Sequence, residues 1–403
     1  MKKYMQKLNR IWKLILLFIL LGMTFSYAMF QGGFVSWFLF YSFIPFALYG
    51  LLVALYPIRD WEVTRKIKKH EYSAKEELLV EIELVRKSYF PIFYMVVEDA
   101  IPSSINQEEL GKKIIMPGFK RKLNYQYVVT ELPRGEHIFH EIQLKMGDPI
   151  GLIETEKIYE KKEKILVFPH YEEMLFKPLE NHYEQGMTAS RERVQRDTTM
   201  AVGIREYQTG DRFSWINWKA SAKRNIMMTK EFEQKQSQDM LVVMDSMESK
   251  NFEVVVSFTA SIVRAILKKG AQMGFLSIDD KERKFFPIRG GESQQQLVLY
   301  HLAKVTAGEG LTLAHILEKE SSLFQQQTTL LLVTSELTNQ LMEKAGYLSS
   351  KQFNIGIFVV KNAKENLSAE ERTWSAFASQ RGIRIIPVSA GRFKETFSEV
   401  STG

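Results

Sequence analysis

Apolar residues follow three different patterns along the chain, and the first is an uninterrupted apolar run. No Asp, Glu, Lys or Arg occurs in the 45 residues from Leu14 to Ile58. That length suffices for two helical crossings of a bilayer, because one crossing needs roughly 20 apolar residues. Gln31, Gly32 and Gly33 interrupt the run, and paired glycines favour a turn. The pattern predicts a transmembrane helical hairpin over residues 1–58, with crossings at about 11–30 and 34–56.

The second pattern is a short alternation of apolar and polar residues. Val80, Ile82 and Leu84 alternate with glutamates. Similar strand candidates follow at 93–97, 125–130 and 165–168, without helical periodicity between them. Short strands at this spacing are typical of antiparallel sandwiches or small barrels. We therefore expect an all-β, sandwich-like domain over residues 76–179, preceded by a basic juxtamembrane linker at 59–75.

The third pattern alternates nearly continuous apolar runs with helical periodicity, beyond a polar segment at 180–200 that we interpret as a linker. Apolar runs of this kind are typical of strands covered on both faces. The predicted strands are 240–244, 273–278, 329–333, 355–360 and 383–388, and the predicted helices are 252–269, 294–305, 313–324, 339–349 and 369–381. Strand and helix in alternation predict a doubly wound α/β domain with a parallel sheet.

Charge places both ends of the predicted hairpin on one side of the membrane. Residues 1–70 contain ten Lys or Arg residues against two acidic ones, and the turn at 31–33 has none. By the positive-inside rule, both termini and the soluble domains are cytoplasmic, in a multi-pass protein of the cell membrane. The remainder of the chain is close to neutral, so its basic balance is no indication of nucleic-acid binding. A cleaved signal peptide is the alternative for the first segment, but a second crossing follows it at once.

The residue inventory offers little for catalysis. The chain has no Cys, which excludes disulfides, thiolate nucleophiles and zinc–thiolate sites and suits a reducing cytosol. Its seven His residues are dispersed, and the sequence has no nucleophile elbow, phosphate-binding glycine loop or zinc-protease helix motif. We expect no enzymatic activity and no obligatory cofactor.

The most specific motif begins at Gly203 and ends near Arg224. It reads GIREYQTGD over 203–211 and WINWKASAKR over 215–224, followed by Lys230 and Glu231. This resembles the bacterial domain-of-unknown-function 58 family, whose pattern is close to GxRxYxxGDxxRxIxWxxSAR with a later Lys-Glu pair. Upstream, Arg134-Gly135 and the DPIGL turn at 148–152 resemble the same family, so the likeness covers essentially the whole chain.

The motif has two departures from the family pattern and two interpretations. Ser214 and Lys223 stand where the family commonly has Arg. One interpretation is a structural clamp between domains, with charge-assisted bonds from Arg205 and Asp211 and packing by Trp218. The other is a surface that binds a partner protein, in which we expect Arg205 to make the contact. The candidate residues for either role are Arg205, Tyr207, Gly210, Asp211, Trp218, Ser221 and Arg224.

The resemblance further implies a von Willebrand A-like domain, in which a loop after a buried strand holds Mg²⁺. Such loops supply carboxylate and hydroxyl oxygens, the ligands that hard cations prefer. Here the loop reads DSMES over 245–249, so Met247 replaces a Ser, and Ser335 stands at a later Asp position. A thioether is a poor Mg²⁺ ligand. The surviving candidates are Asp245, Ser249 and Thr312, with Glu248 and Glu336 as substitutes, and we expect a degenerate site that binds Mg²⁺ weakly or not at all.

Together these observations predict a membrane-anchored cytoplasmic adaptor. The resemblance implies that its partner is a MoxR-type AAA+ ATPase, with a transglutaminase-like membrane protein as a second partner. Two alternatives stay open: a hydrolase that uses the region of Arg205 and Asp211, and a metal-dependent adhesion module that faces outward. The charge pattern and the weakened metal loop both disfavour the adhesion module.

Overall fold

The protein begins with two long apolar helices. The computed structural model describes residues 2–177, 195–208, 211, 213–235, 239–279, 282–308, 311–321, 324 and 328–397. Helix α1 (Lys2–Gln31) and helix α2 (Phe34–Leu55) are joined through Gly32 and Gly33, whose φ angles of 57° and 89° suit glycine. The segments Ile11–Gln31 and Phe34–Leu55 are each long and apolar enough to cross a membrane. Helix α1 starts before the predicted boundary because the basic residues ahead of Ile11 are good helix formers.

Two sheets with one shared core follow the helices, and together they belong to the first of two compact units, Met1–His170 and Tyr171–Gly403. The strands are β1 (Trp61–Ile67), β2 (Glu71–Ser73), β3 (Leu78–Arg86), β4 (Tyr94–Asp99), β5 (Lys112–Ile115), β6 (Lys122–Val129), β7 (Gly135–Gly147) and β8 (Glu154–Phe168). One sheet has the order β1-β3-β6 and the other the order β2-β8-β7-β4-β5. Val63 and Ile82 from the first sheet share a buried cluster with Val97 and Leu144 from the second. The predicted sheet-rich region is thereby confirmed.

Residues 59–75, predicted to be a linker, are instead part of this fold. Strand β1 pairs antiparallel with β3, and β2 pairs parallel with β8. Trp61, Val63 and Arg65 are buried while the residues between them are exposed. Among the basic residues that suggested a linker, Lys66 faces outward from the period-two strand β1, and Lys68 and Lys69 are exposed just after it. The buried member, Arg65, is a charged residue that composition alone places at the surface.

The second unit contains a hairpin and then the α/β domain. The hairpin strands are β9 (Gln195–Glu206) and β10 (Met228–Lys235), and helix α3 (Trp218–Arg224) lies between them in sequence. The α/β elements are β11 (Met240–Met244), α4 (Phe252–Lys268), β12 (Met273–Asp279), β13 (Glu282–Arg289), α5 (Glu292–Lys304), α6 (Leu313–Lys319), β14 (Thr329–Thr334), α7 (Asn339–Ser350), β15 (Asn354–Lys361), α8 (Ala369–Gln380) and β16 (Ile383–Ser389).

The α/β sheet has helices on both faces. Its strand order is β13-β12-β11-β14-β15-β16, and all neighbouring pairs are parallel except β12 with β13. Val242 and Val333 face a cluster that includes α4, whereas Val243 and Leu332 face a cluster that includes α6 and α7. The predicted α/β domain with parallel strands is confirmed. The antiparallel edge strand β13 was not predicted, because its residues are mostly exposed and lack an apolar run.

The boundary between the units differs from the predicted one at 179. Residues from Tyr171 onward belong to the second unit, where Phe176 packs edge-on against Phe397 with ring centroids 5.4 Å apart. At its other end, the predicted linker 180–200 overlaps β9, which already begins at Gln195. Residues 178–194 lie outside the described part of the chain. Helix α6 ends at Lys319, five residues before its predicted end.

Candidate functional site

The motif from Gly203 to Arg224 sits at one end of the β9–β10 hairpin. Arg205 pairs with Thr229 and Glu206 with Met228 across the two strands. Beyond the strand, the N–H of Tyr207 donates to the carbonyl of Met227 over 2.9 Å, which extends the pairing. The sequence between the strands is thus held at both of its ends by backbone bonds.

An ion pair closes the loop that leaves β9. Nη2 of Arg205 donates to Oδ1 of Asp211 over 2.7 Å, and the N–H of Gln208 donates to Oδ2 over 3.0 Å. Another guanidinium nitrogen of Arg205 donates to the Glu206 carbonyl. The Arg205 guanidinium and then the Gln208 N–H hold the pKa of Asp211 below its usual value. Asp211 therefore acts as a charged loop clamp, with both carboxylate oxygens engaged.

Helix α3 is fixed by polar side chains at its start. The Asn217 side chain accepts from the N–H of Ala220, as a helix cap does. The Ser221 hydroxyl donates to the Asn217 carbonyl over 3.0 Å and accepts from the N–H of Met228 over 2.9 Å. Ser221 therefore joins α3 to the first residue of β10, which explains why a small hydroxyl residue suits this motif position.

The same segment exposes large apolar side chains. Trp218 is 66% exposed and Phe213 is 70% exposed, although Phe213 stacks on Tyr207 at 6.2 Å between ring centroids. The other large apolar residues exposed here are Ile204, Ile226 and Met227. We call these five residues the apolar motif surface. A concentration of exposed apolar residues in one short segment is a frequent feature of protein-binding surfaces.

The surroundings of two residues differ from those expected. Trp218, expected to pack as part of a clamp, points largely into solvent, and Arg205, expected to make partner contacts, is engaged with Asp211 and Glu206. Arg224 is exposed in the last turn of α3. Gly210 lies outside the described residues. Within this motif, Arg205 and Asp211 bind each other, whereas the aromatic side chain of Trp218 is exposed.

The second candidate region is the loop after β11. Oδ2 of Asp245 accepts from the Thr334 hydroxyl over 2.7 Å, and Oδ1 accepts from the N–H of Met247 over 3.1 Å. Burial raises the pKa of Asp245 above its usual value, and these two hydrogen bonds partly oppose the rise. Met247 also forms a parallel bridge with Gly308, so the loops after β11 and α5 are held side by side.

The other two candidate ligands have different surroundings. Thr312 is the cap of α6, where its hydroxyl lies 2.7 Å from Nδ1 of His315. Ser249 lines a cleft of about 470 Å³ that also includes Glu248 and Glu336. Within the described residues, no group of three or more His, Cys, Asp and Glu side chains is arranged to hold a metal ion.

Comparison with known proteins identifies the family. The family described as "Protein of unknown function DUF58" matches residues 203–398. The uncharacterized protein YeaD of Bacillus subtilis (strain 168) is 38% identical over 397 residues, which cover 97% of this chain and 99% of YeaD. The chain belongs to the DUF58 family.

Similarity to solved structures is limited. The SpRpn10 VWA domain aligns with 40% of this DUF58 chain and 94% of its own length, at 13% identity and a TM-score of 0.28. The CARDB domain of the PF1109 protein from Pyrococcus furiosus aligns with 27% of the chain and 87% of its own length, at 13% identity and a TM-score of 0.20.

The residues of this DUF58 protein do not fit the magnesium site that the family resemblance implied. Both oxygens of Asp245 already accept hydrogen bonds, Thr312 caps a helix, and Met247 offers only a thioether. Sequence reasoning missed Thr334, whose hydroxyl donates a hydrogen bond to Asp245. It also missed Phe213 and Met227, because an apolar residue in a motif gives no signal of whether it will be buried or exposed.

Proposed function

We propose that this DUF58 protein is a membrane-anchored protein-interaction module. In this proposal α1 and α2 cross the cell membrane and both soluble regions lie on the cytoplasmic side. The chain performs no catalytic step of its own and uses no cofactor. Support for the anchor comes from the two apolar helices and from the basic residues that flank them.

The observation that carries the interaction role is the apolar motif surface. The Arg205–Asp211 pair and the Ser221 hydroxyl fix the backbone, while Trp218 and Phe213 remain exposed on it. A fixed backbone reduces the entropy lost on binding, and exposed aromatic residues are the commonest anchors of protein interfaces. The Arg205–Asp211 ion pair and the Ser221 hydrogen bonds therefore hold the surface in place, and the aromatic side chains make the contact.

The family resemblance favours a MoxR-type AAA+ ATPase as the partner, with a transglutaminase-like membrane protein as a second candidate. In the same proposal, the α/β domain is von Willebrand A-like and the two-sheet domain is sandwich-like. A cytoplasmic orientation is required, because an intracellular ATPase reaches only that side of the membrane. A hydrolase centred on Arg205 and Asp211 is less well supported, because these two groups are occupied by each other.

The test is to substitute the aromatic anchors in the tagged full-length protein. We expect Trp218→Ala and Phe213→Ala each to reduce co-purification of the ATPase from membranes while the melting temperature is unchanged. Loss of a central aromatic anchor typically costs about 2 kcal/mol or more, which is roughly a 30-fold weaker Kd. Co-purification and melting temperature are measured on the same detergent-solubilised samples.

Two controls separate binding from folding. Tyr347→Ala removes an aromatic side chain of similar exposure on α7 and should change neither quantity. Asp211→Ala breaks the loop clamp and should lower the melting temperature as well as binding. Undiminished ATPase recovery with both Trp218→Ala and Phe213→Ala would remove this surface from the proposal.

A further inference from the structure

The two-sheet domain packs directly against the apolar helices through the DPIGL turn. Ile153 is buried against Val53 and Ala54 of α2. A Cβ placed on Gly50 would lie 3.5 Å from Cγ1 of Ile153 and 4.0 Å from Cβ of Asp148. The turn therefore lies against α2 at a point where the helix surface has no side chain.

A second contact comes from the chain just before β4. Tyr49 of α2 donates its hydroxyl proton to the Pro91 carbonyl over 3.1 Å and accepts from the N–H of Phe93 over 3.2 Å. The rings of Tyr49 and Phe93 meet edge-on, with centroids 4.7 Å apart. The same domain thus contacts α2 at two consecutive positions, Tyr49 and Gly50.

These contacts lie beyond the last charge on the helices. Lys13 is the final charged residue of α1 before the apolar run, and its Nζ lies 3.0 Å from Oε2 of Glu154. The side chain of Leu17 comes within 3.8 Å of the Cβ position on Gly50. Leu17 is four residues past Lys13, about 6 Å further along the helix at 1.5 Å per residue. If the apolar segments span a bilayer, the turn reaches about one helical turn past the charged boundary.

The segments of the two-sheet domain that lie near this boundary expose large apolar side chains. Ile150 stands at the centre of the DPIGL turn and is 48% exposed. Phe93 is exposed, and the pairing of Ile92 with Gly118 places the 116–120 loop beside it. In that loop Met116 and Phe119 are 79% and 69% exposed. We call Phe93, Met116, Phe119 and Ile150 the interfacial rim.

The rim is held rigidly and has basic neighbours. Asp148 accepts from the N–H of Ile153 over 2.5 Å and from the N–H of Ile150 over 3.2 Å, so the turn has a fixed shape. Lys87, Lys120 and Arg121 are exposed close in sequence to the rim residues. Apolar side chains flanked by basic ones are the composition that favours the boundary between headgroups and acyl chains in anionic membranes.

We propose that the interfacial rim inserts into the lipid surface beside α1 and α2, so that the two-sheet domain is seated in the membrane rather than tethered above it. This inference rests on the membrane anchoring proposed above. The partner is lipid, because the rim is continuous with the helix surfaces that the bilayer would cover. Seating fixes the domain's height and tilt relative to the membrane, which a flexible linker would not do.

The experiment uses the absence of Cys, which allows a single reactive thiol to be placed without background. Full-length protein with Ile150→Cys or Phe119→Cys is labelled with an environment-sensitive fluorophore and reconstituted in phosphatidylcholine–phosphatidylglycerol vesicles. We expect blue-shifted emission and strong quenching by lipid that carries a quencher near the top of its acyl chain. Val128→Cys is the matched control, since Val128 is an exposed apolar residue of β6 and pairs with Leu79 at the end of β3 away from Arg86.

Leu39→Cys, on an exposed position of α2, reports separately on the anchor and should be quenched by lipid labelled deep in its acyl chain. Water-like emission at Ile150 and Phe119, as at Val128, together with a quenched Leu39 would overturn the inference and leave the anchor intact. An unquenched Leu39 would overturn both. Quenching at Ile150 and Phe119 but not at Val128 would establish that the rim is in contact with lipid.

Discussion

At the scale of single residues, Met247 changes the chemistry of the loop after β11. Asp245 follows a buried strand, where von Willebrand A-like domains place a metal ligand, but Met247 supplies a thioether and its N–H binds the Asp245 carboxylate. The Thr334 hydroxyl takes the other oxygen. Burial raises the pKa of Asp245, so ionisation of this group is opposed by its surroundings. The Asp245 carboxylate therefore stabilises the conformation of this loop through two hydrogen bonds.

We expect that adding millimolar Mg²⁺ leaves the melting temperature of the detergent-solubilised protein unchanged, because ligand that does not bind the native state cannot stabilise it. Met247→Ser combined with Ser335→Asp adds two oxygen donors, and the doubly substituted protein should melt at a higher temperature with Mg²⁺ than without it. Asp245→Ala in that background is the control and should abolish the increase. A stabilisation of the unsubstituted protein that Asp245→Ala removes would show that the native loop binds Mg²⁺.

At the scale of elements, a buried ion pair joins the two sheets. Arg65 of β1 binds both carboxylate oxygens of Asp99 at the end of β4, and its Nη1 donates to the Lys161 carbonyl of β8. Neither charged side chain is exposed. The Tyr127 hydroxyl also donates to Asp99 over 2.6 Å, and burial raises the pKa of Tyr127 so that the hydroxyl keeps its proton. The network therefore joins β1 and β6 of one sheet to β4 and β8 of the other.

Removing one residue of the Arg65–Asp99 ion pair should lower the free energy of unfolding. Asp99→Leu leaves the Arg65 guanidinium buried without its counter-charge, and such a change typically costs about 3–5 kcal/mol. We expect the free energy of unfolding to fall by that amount in chemical denaturation of the full chain in detergent micelles. Arg65→Met together with Asp99→Leu should recover much of the loss, because an apolar pair has no unpaired charge. Equal losses in the single and double variants would contradict this explanation.

At the scale of the whole molecule, the placement of charge predicts the topology. Basic residues precede α1 and follow α2, and the turn at Gly32 and Gly33 is uncharged. The proposed ATPase partner reaches the apolar motif surface only if the soluble regions face the cytoplasm. The orientation is therefore the condition on which the proposed interaction depends.

A reporter fused after Gly403 should be active only if it is a type that works in the cytoplasm, because the positive-inside rule keeps both basic flanks there. The matched control is a fusion after Gly33, in the turn between the helices, which should be active only as a reporter of the opposite side. Activity of an export-dependent reporter at Gly403 would contradict the adaptor proposal, since an intracellular ATPase could not reach the domain.

Local sequence patterns were enough to predict several of the elements. Strand β11 spans the predicted residues, and α4, α7 and α8 end within one residue of their predicted bounds. A central parallel strand must be apolar on both faces and its covering helix must be amphipathic, so each carries its pattern in a few consecutive residues. The apolar run and its glycine turn defined the two helices for the same reason, and the motif identified the family.

Tertiary structure alone decided which side chains face inward where the pattern was mixed. Arg65 is buried only because Asp99 and Tyr127 come to it from other strands, so a basic segment became a strand rather than a linker. Trp218 is exposed because the Asn217 cap and the Ser221 hydroxyl hold its helix by polar contacts instead of aromatic packing. Thr334 meets Asp245 across two neighbouring strands. For Arg65 and Asp245 the deciding partner is distant in sequence, and burial, pairing and charge at such positions depend on the fold that brings the partners together.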